Sequence, residues 1–133
     1  MKKNNNGSKD LYVDGFVFAV PRKNLAAYKK IASEAGKVWM KHGALEYKEC
    51  IGDDMNDNMA AKNGATFPKM TRLKDDELVG FSYIVYESKK HRNEVNKKVM
   101  QDPFMNDPKM KDKPMPFDMK RMSYGGFKTI VSL

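Results

Sequence analysis

Pro116-Phe117-Asp118-Met119-Lys120-Arg121-Met122-Ser123-Tyr124-Gly125-Gly126-Phe127, near the end of the chain, echoes Tyr12-Val13-Asp14-Gly15-Phe16 near its start. Both read as aromatic, glycine-bearing strands, and two helical patterns lie between them. The opening strand, Leu11 to Val20, is β-branched and aromatic and stops at Pro21. A first helix follows, in which Leu25, Tyr28, Ile31, Ala32, Ala35, Val38 and Trp39 recur at three- and four-residue steps, with Gly43 placed to end it in the left-handed conformation. Leu45 to Ile51 then alternates with period two and carries charges on one side, which suits an edge strand.

Leu78 to Tyr86 is a third, strongly apolar strand. Ser88 can cap a second helix running to Met100, with Val95 and Val99 in its buried stripe, and Asp102-Pro103 ends it. A proline- and methionine-laden connection leads to a final strand, expected over Met119 to Val131. The order β-α-β-β-α-β predicts an α+β fold of the ferredoxin-like kind, with a four-stranded antiparallel sheet. Residues 1–10 read as a flexible polar extension ahead of one domain, 11–133.

Two helices cover one side of such a sheet, yet its strands are apolar on both sides. One face of the first strand shows Val13, Gly15, Val17 and Ala19, and the other shows Tyr12, Asp14, Phe16 and Phe18. In the third strand Val79, Phe81, Tyr83 and Val85 stand opposite Gly80, Ser82, Ile84 and Tyr86. An uncovered apolar face of that size is a partner or ligand surface, and a second copy of the sheet is the economical cover, giving a homodimer. A rival reading takes the same aromatics as a base-stacking platform, as in RNA recognition motifs. Gly80-Phe81-Ser82-Tyr83-Ile84-Val85-Tyr86 follows one ribonucleoprotein signature without its leading basic residue, and Leu11-Tyr12-Val13 resembles the other, so Tyr12, Phe81 and Tyr83 would stack.

The net charge of +8 also invites a nucleic-acid partner. Its distribution argues otherwise, because Arg22 to His42 holds six cations against the single acid Glu34 while Asp53 to Glu77 is net acidic. Lysines on the outer side of an amphipathic helix read as a solvated surface. There is no apolar run of membrane-spanning length and no signal peptide ahead of Asp10, so a cytoplasmic protein is expected. One cysteine, Cys50, and two histidines make a poor zinc ligand set, and Cys50 reads as core filler. Asp53 to Met59 imitates a calcium loop but lacks its glycine and terminal glutamate; neither a metal nor a cofactor is expected.

Chemistry centres on Asp14. A carboxylate among Tyr12, Phe16 and Phe18 needs a partner, which Arg121 or Arg92 can supply; unpaired, it would bind protons more tightly and serve as a general base. The paired glycines after Tyr124 allow a bulge or a close approach by a ligand, and the Tyr124 hydroxyl can donate to a bound molecule. Asp14, Tyr124 and Arg121 are therefore the catalytic candidates. Tyr12, Phe16, Ser82, Tyr83 and Arg92 join them as candidate ligand contacts for a small aromatic or carbonyl-bearing molecule. Ser82 has no histidine near it in sequence and is no nucleophile candidate.

Beyond single motifs, a long series of matches runs through the chain: Tyr12-Val13-Asp14-Gly15-Phe16 with Val20-Pro21, Gly43-Ala44-Leu45, Glu49-Cys50, Phe81-Ser82, Ser88-Lys89, Arg92, Asn96, Met100, Asp102-Pro103, Met115-Pro116-Phe117-Asp118, Lys120-Arg121-Met122 and Tyr124-Gly125-Gly126-Phe127. On these residues the chain, from Tyr12 to Phe127, resembles the bacterial family called domain of unknown function 1428, the YbaA-like proteins. It departs from that pattern at Gly80, where a bulky aliphatic is usual, and in the methionine-rich segment 53–64. The resemblance implies the dimeric α+β barrel group, in which two ferredoxin-like sheets pack face to face. Members of that group include cofactor-independent monooxygenases, haem-degrading enzymes, isomerases and small-molecule sensors. No settled reaction comes with the family.

Overall fold

The computed structural model describes residues 10–55, 66–111 and 113–133. Four strands, β1 (Tyr12–Pro21), β2 (Glu46–Ile51), β3 (Glu77–Tyr86) and β4 (Ser123–Lys128), form one sheet in the order β2-β3-β1-β4. Every neighbouring pair is antiparallel. The helices are α1 (Leu25–Lys41), α2 (Phe67–Thr71), α3 (Lys89–Met100) and α4 (Pro108–Lys111). The expected α+β architecture and the expected edge position of β2 are both present.

Local chemistry sets the boundaries. Gly43 takes φ +113°, a backbone conformation that side chains disfavour, and ends the α1 segment through a hydrogen bond from its N–H to the Met40 carbonyl. Ser88 caps α3, its Oγ accepting from the His91 N–H at 3.0 Å. The final strand is shorter than its sequence suggests, because Asp118 Oδ1 accepts from the Lys120 N–H and winds Met119–Arg121 into a 3-10 turn. The short helix α2 lies in a stretch where the sequence patterns give no element. Thr66 caps it at the Lys69 N–H, and Pro68 fits its first turn. The methionine-rich segment and the amino-terminal extension lie largely outside the described residues.

Both long helices pack on the same side of the sheet. Val38 of α1, Ile84 and Tyr86 of β3 and Val95 and Val99 of α3 form one buried cluster, while Phe18, Val20, Tyr28, Ala32 and Phe117 form another. Gly80 belongs here, since a methyl group at that position would meet the Phe18 ring at 2.3 Å. The glycine that completes the RNA-like signature is thus the space into which Phe18 packs. On the opposite face Val17 pairs with Phe81, Gly15 with Tyr83 and Val13 with Val85 and Phe127. That face is open at its centre and along β4, where Phe81 is 43% and Phe127 61% exposed, while Ala19 and Val79 at its other end are buried. Cys50, cross-strand from Phe81, is exposed rather than core. The stacking platform does not assemble, because Tyr12 pairs with Tyr86 on the helix-covered face, away from Phe81 and Tyr83.

Candidate functional site

Asp14 sits in the middle of the central strand β1, between Ile84 of β3 and Gly126 of β4, with its side chain on the helix-covered face. It is 2% exposed. Arg92, from the first turns of α3, reaches down from above, and its Nη1 donates to Asp14 Oδ1 at 2.8 Å and to the Tyr124 hydroxyl at 3.0 Å. Arg92 Nε donates to Asn93 Oδ1 at 2.8 Å, and the guanidinium lies 4.9 Å from the centre of the Tyr12 ring. Among the described residues Arg92 Nη2 donates to no protein acceptor. Tyr12 in turn covers Gly126, where a methyl group would strike its hydroxyl at 2.5 Å.

The carboxylate is therefore paired as expected, and the partner is Arg92. Burial nevertheless pushes the Asp14 carboxyl above its ordinary value, against the Arg92 charge and the hydrogen bonds of Tyr86, Tyr124 and Asn96, which pull it down. Burial and the neighbouring Asp14 charge raise the Tyr124 hydroxyl in the same direction. Tyr124 is 54% exposed and its ring lies 5.0 Å from that of Phe16, so the cluster runs from a buried acid to an accessible phenol. Behind it, Asn96 Oδ1 accepts from Trp39 Nε1 at 3.0 Å and from the Tyr86 hydroxyl at 3.3 Å. Tyr86 and Asn96 show in the sequence only as the end of an RNA-like signature and as one of the family matches, and no local signal gives either a role beside Asp14.

The other expected residues divide. Tyr12, Asp14, Phe16, Arg92 and Tyr124 come together. Arg121 does not join them: its two terminal nitrogens hold Glu77 at 2.7 and 2.9 Å, and Nη2 also reaches the carbonyls of Thr71 and Arg72. This bidentate pair holds Glu77 below its ordinary value and ties the 3-10 turn before β4 to the start of β3. Tyr83 opens onto the other face of the sheet. Ser82 is buried on the helix side, one ladder row from Asp14, between Phe16 and Glu49. The paired glycines make no bulge, since β1 and β4 stay in register from Tyr12 with Lys128 to Val17 with Ser123.

The family described as a protein of unknown function, DUF1428, matches residues 11–119. The chain belongs to this family. Its DUF1428 relatives include the uncharacterized protein YbaA of Escherichia coli K12, 41% identical over 120 residues that span 90% of this chain and 97% of the relative. The proteins of the same description from Escherichia coli O157:H7 and Shigella flexneri match equally. All of the site but Tyr124 falls within the part matched by the DUF1428 pattern. Among the described residues there is no group of three or more His, Cys, Asp or Glu side chains arranged to hold a metal ion. No described helix is long and apolar enough to cross a membrane.

Proposed function

We propose that this DUF1428 protein is a small-molecule-binding dimer of ferredoxin-like subunits, whose ligand is an aromatic molecule bearing a carboxylate or carbonyl oxygen. The observation that carries the reading is Arg92, which is fixed by Asp14 and Tyr124 through Nη1 while Nη2 has no described protein partner. A guanidinium held on one edge by a buried acid keeps donors on the other edge for a ligand oxygen. The aromatic rings of Tyr12, Phe16 and Tyr124 supply the walls. Turnover at this site would use Asp14 as the proton acceptor, with Tyr124 as the exposed donor.

The strand order β2-β3-β1-β4 with both long helices on one face supports the ferredoxin-like assignment. The apolar row Val13, Val17, Phe81, Val85 and Phe127 on the uncovered face supports a second copy packed sheet to sheet, as in a dimeric α+β barrel. An exposed free thiol at Cys50 fits a reducing, cytoplasmic setting.

The test is isothermal titration with benzoate and salicylate on the wild type, Arg92→Gln and Tyr124→Phe proteins, each checked by circular dichroism. Saturable binding that Arg92→Gln abolishes and Tyr124→Phe weakens supports the site. Equal binding by a folded Arg92→Gln protein, or none by the wild type, removes it. Light scattering tests the assembly separately, with a mass of twice 15.2 kDa expected.

A further inference from the structure

On the far side of the same sheet face, between α1 and the edge strand β2, lies a groove of about 490 Å³ that neither Asp14 nor Arg92 lines. Its apolar floor includes Leu25, Ala32 and Ile51. Glu49 stands in it, gripped by two phenols: the Tyr28 hydroxyl donates to Oε1 and the Tyr47 hydroxyl to Oε2, each at 2.6 Å. Burial first, and the Glu49 hydrogen bonds next, push both phenols far above their ordinary values, so both stay protonated donors at any working pH. Among the described residues no cation lies within salt-bridge distance of Glu49.

The helix is shaped to make this arrangement. Gly36 stands inside α1, where glycine costs about 1 kcal/mol relative to alanine. A methyl group there would meet the Tyr47 ring at 2.7 Å, so the glycine lets the ring lie against the helix and aim its hydroxyl at Glu49. Glu49 is exposed at the groove, and a carboxylate fixed by two neutral donors keeps its full charge and has acceptor capacity left on both oxygens for a ligand cation. Among the described residues one other charged side chain lines the groove, that of Lys29, an exposed residue of α1 across from β2.

We propose that this groove is a second small-molecule site, selective for a zwitterion with an apolar side chain, that is, a hydrophobic amino acid. Its ammonium group is held by Glu49 between the Tyr28 and Tyr47 rings, its carboxylate faces Lys29, and its side chain covers Leu25, Ala32 and Ile51. One acid and one base on opposite walls complement the two charges of such a molecule, whereas an amine or an acid alone leaves one wall unmatched.

The probes are L-phenylalanine, 2-phenylethylamine and 3-phenylpropionate, which share a ring and differ in charge. In isothermal titration against the full chain, L-phenylalanine should bind saturably and at least about tenfold more tightly than either analogue, the worth of one charge-assisted hydrogen bond. Glu49→Gln should erase the advantage over 3-phenylpropionate, and Lys29→Gln the advantage over 2-phenylethylamine. L-phenylalanine and 3-phenylpropionate also carry the ring and carboxylate proposed for the site beside Asp14, so the three probes are compared in the folded Arg92→Gln protein, where the preference for L-phenylalanine should persist. No saturable binding of L-phenylalanine overturns the proposal, as does binding that Arg92→Gln abolishes. Equal binding of all three probes by that protein overturns it too.

Discussion

Replacing Gly36 by alanine sets two known effects against each other. In an exposed helix the change stabilises by about 0.8–1.0 kcal/mol, because glycine gives up more backbone freedom. Here the new methyl group would lie 2.7 and 2.8 Å from two Tyr47 ring carbons and 3.1 Å from a third. The ring cannot move freely, since its hydroxyl is bound to Glu49 at 2.6 Å and the Trp39 ring lies 6.4 Å away. Either the contact is strained, at about 1–3 kcal/mol, or the ring swings out and gives up a hydrogen bond to a charged group, which costs about the same. Gly36→Ala should therefore destabilise by roughly 0–2 kcal/mol in the wild-type chain. In a Tyr47→Ala background only the propensity remains, and the same change should stabilise by about 1 kcal/mol. Urea unfolding followed by circular dichroism measures both, and the coupling between the positions should be about 1–3 kcal/mol. A Gly36→Ala protein that gains as much stability with Tyr47 present as without it would refute the packing argument, and with it the claim that the glycine exists to place the phenol.

Gly80→Ala gains about 0.5–1 kcal/mol from reduced backbone freedom, but the Phe18 ring, 1% exposed, is hemmed in by Tyr28 and Phe117 and strain of about 1–3 kcal/mol opposes it; a net loss of roughly 0–2.5 kcal/mol is expected in thermal unfolding, reduced by the companion change Phe18→Leu. In the sheet-to-sheet dimer proposed above, Phe81→Glu puts a charge in the centre of the uncovered face, and light scattering should then read 15.2 kDa where the wild type reads twice that, with the circular dichroism spectrum unchanged. Glu77 is held below its ordinary 4.5 by Arg121, so its contribution to stability is complete above pH 4.5 and is lost as pH falls through the lowered folded value; Glu77→Gln should weaken the protein at pH 7 and flatten the acid limb of its stability curve.

Much of this was legible in the chain, for local reasons. The β-branched and aromatic runs of β1 and β3, the Ser88 cap and the Gly43 stop are short-range signals that tertiary packing reinforces. The extent of β4 was not, because Asp118 competes for a backbone N–H and turns three strand-like residues into a 3-10 turn. The Asp14 pairing was half legible. Its environment demands a cation, but the choice between Arg92 and Arg121 rests on a contact spanning 78 residues and on Glu77 taking Arg121 first. The Glu49 clamp is not legible because one of its phenols, Tyr28, comes from α1, 21 residues before Glu49 in the chain. The one available sign was a glycine inside an otherwise regular helical stripe, which reads as a packing device once a ring is found above it.

Strand register links the two sites more closely than their residue lists suggest. On the helix-covered face one ladder row runs Gly126, Asp14, Ile84, Tyr47 across the whole sheet, and the next runs Tyr124, Phe16, Ser82, Glu49. The first row carries Asp14 of the Arg92 cluster and the second Tyr124 and Phe16, each with one member of the Glu49 clamp at the other edge. Three interstrand steps of about 4.8 Å put Tyr124 and Glu49 roughly 14 Å apart along the row, too far for one small ligand to bridge with β3 between them. Ile84 and Ser82, both buried, are what separates the two sites. Because side chains alternate with period two, a slip of one residue in β3 would keep neither row intact, and it would carry Ile84 and Ser82 to the open face while bringing Tyr83 beneath the helices. The rigid pairing of β3 with both β1 and β2 is therefore the condition on which both sites depend, and the Phe18 ring lying over Gly80, two residues from Ser82, is the contact that fixes that register from the helix side.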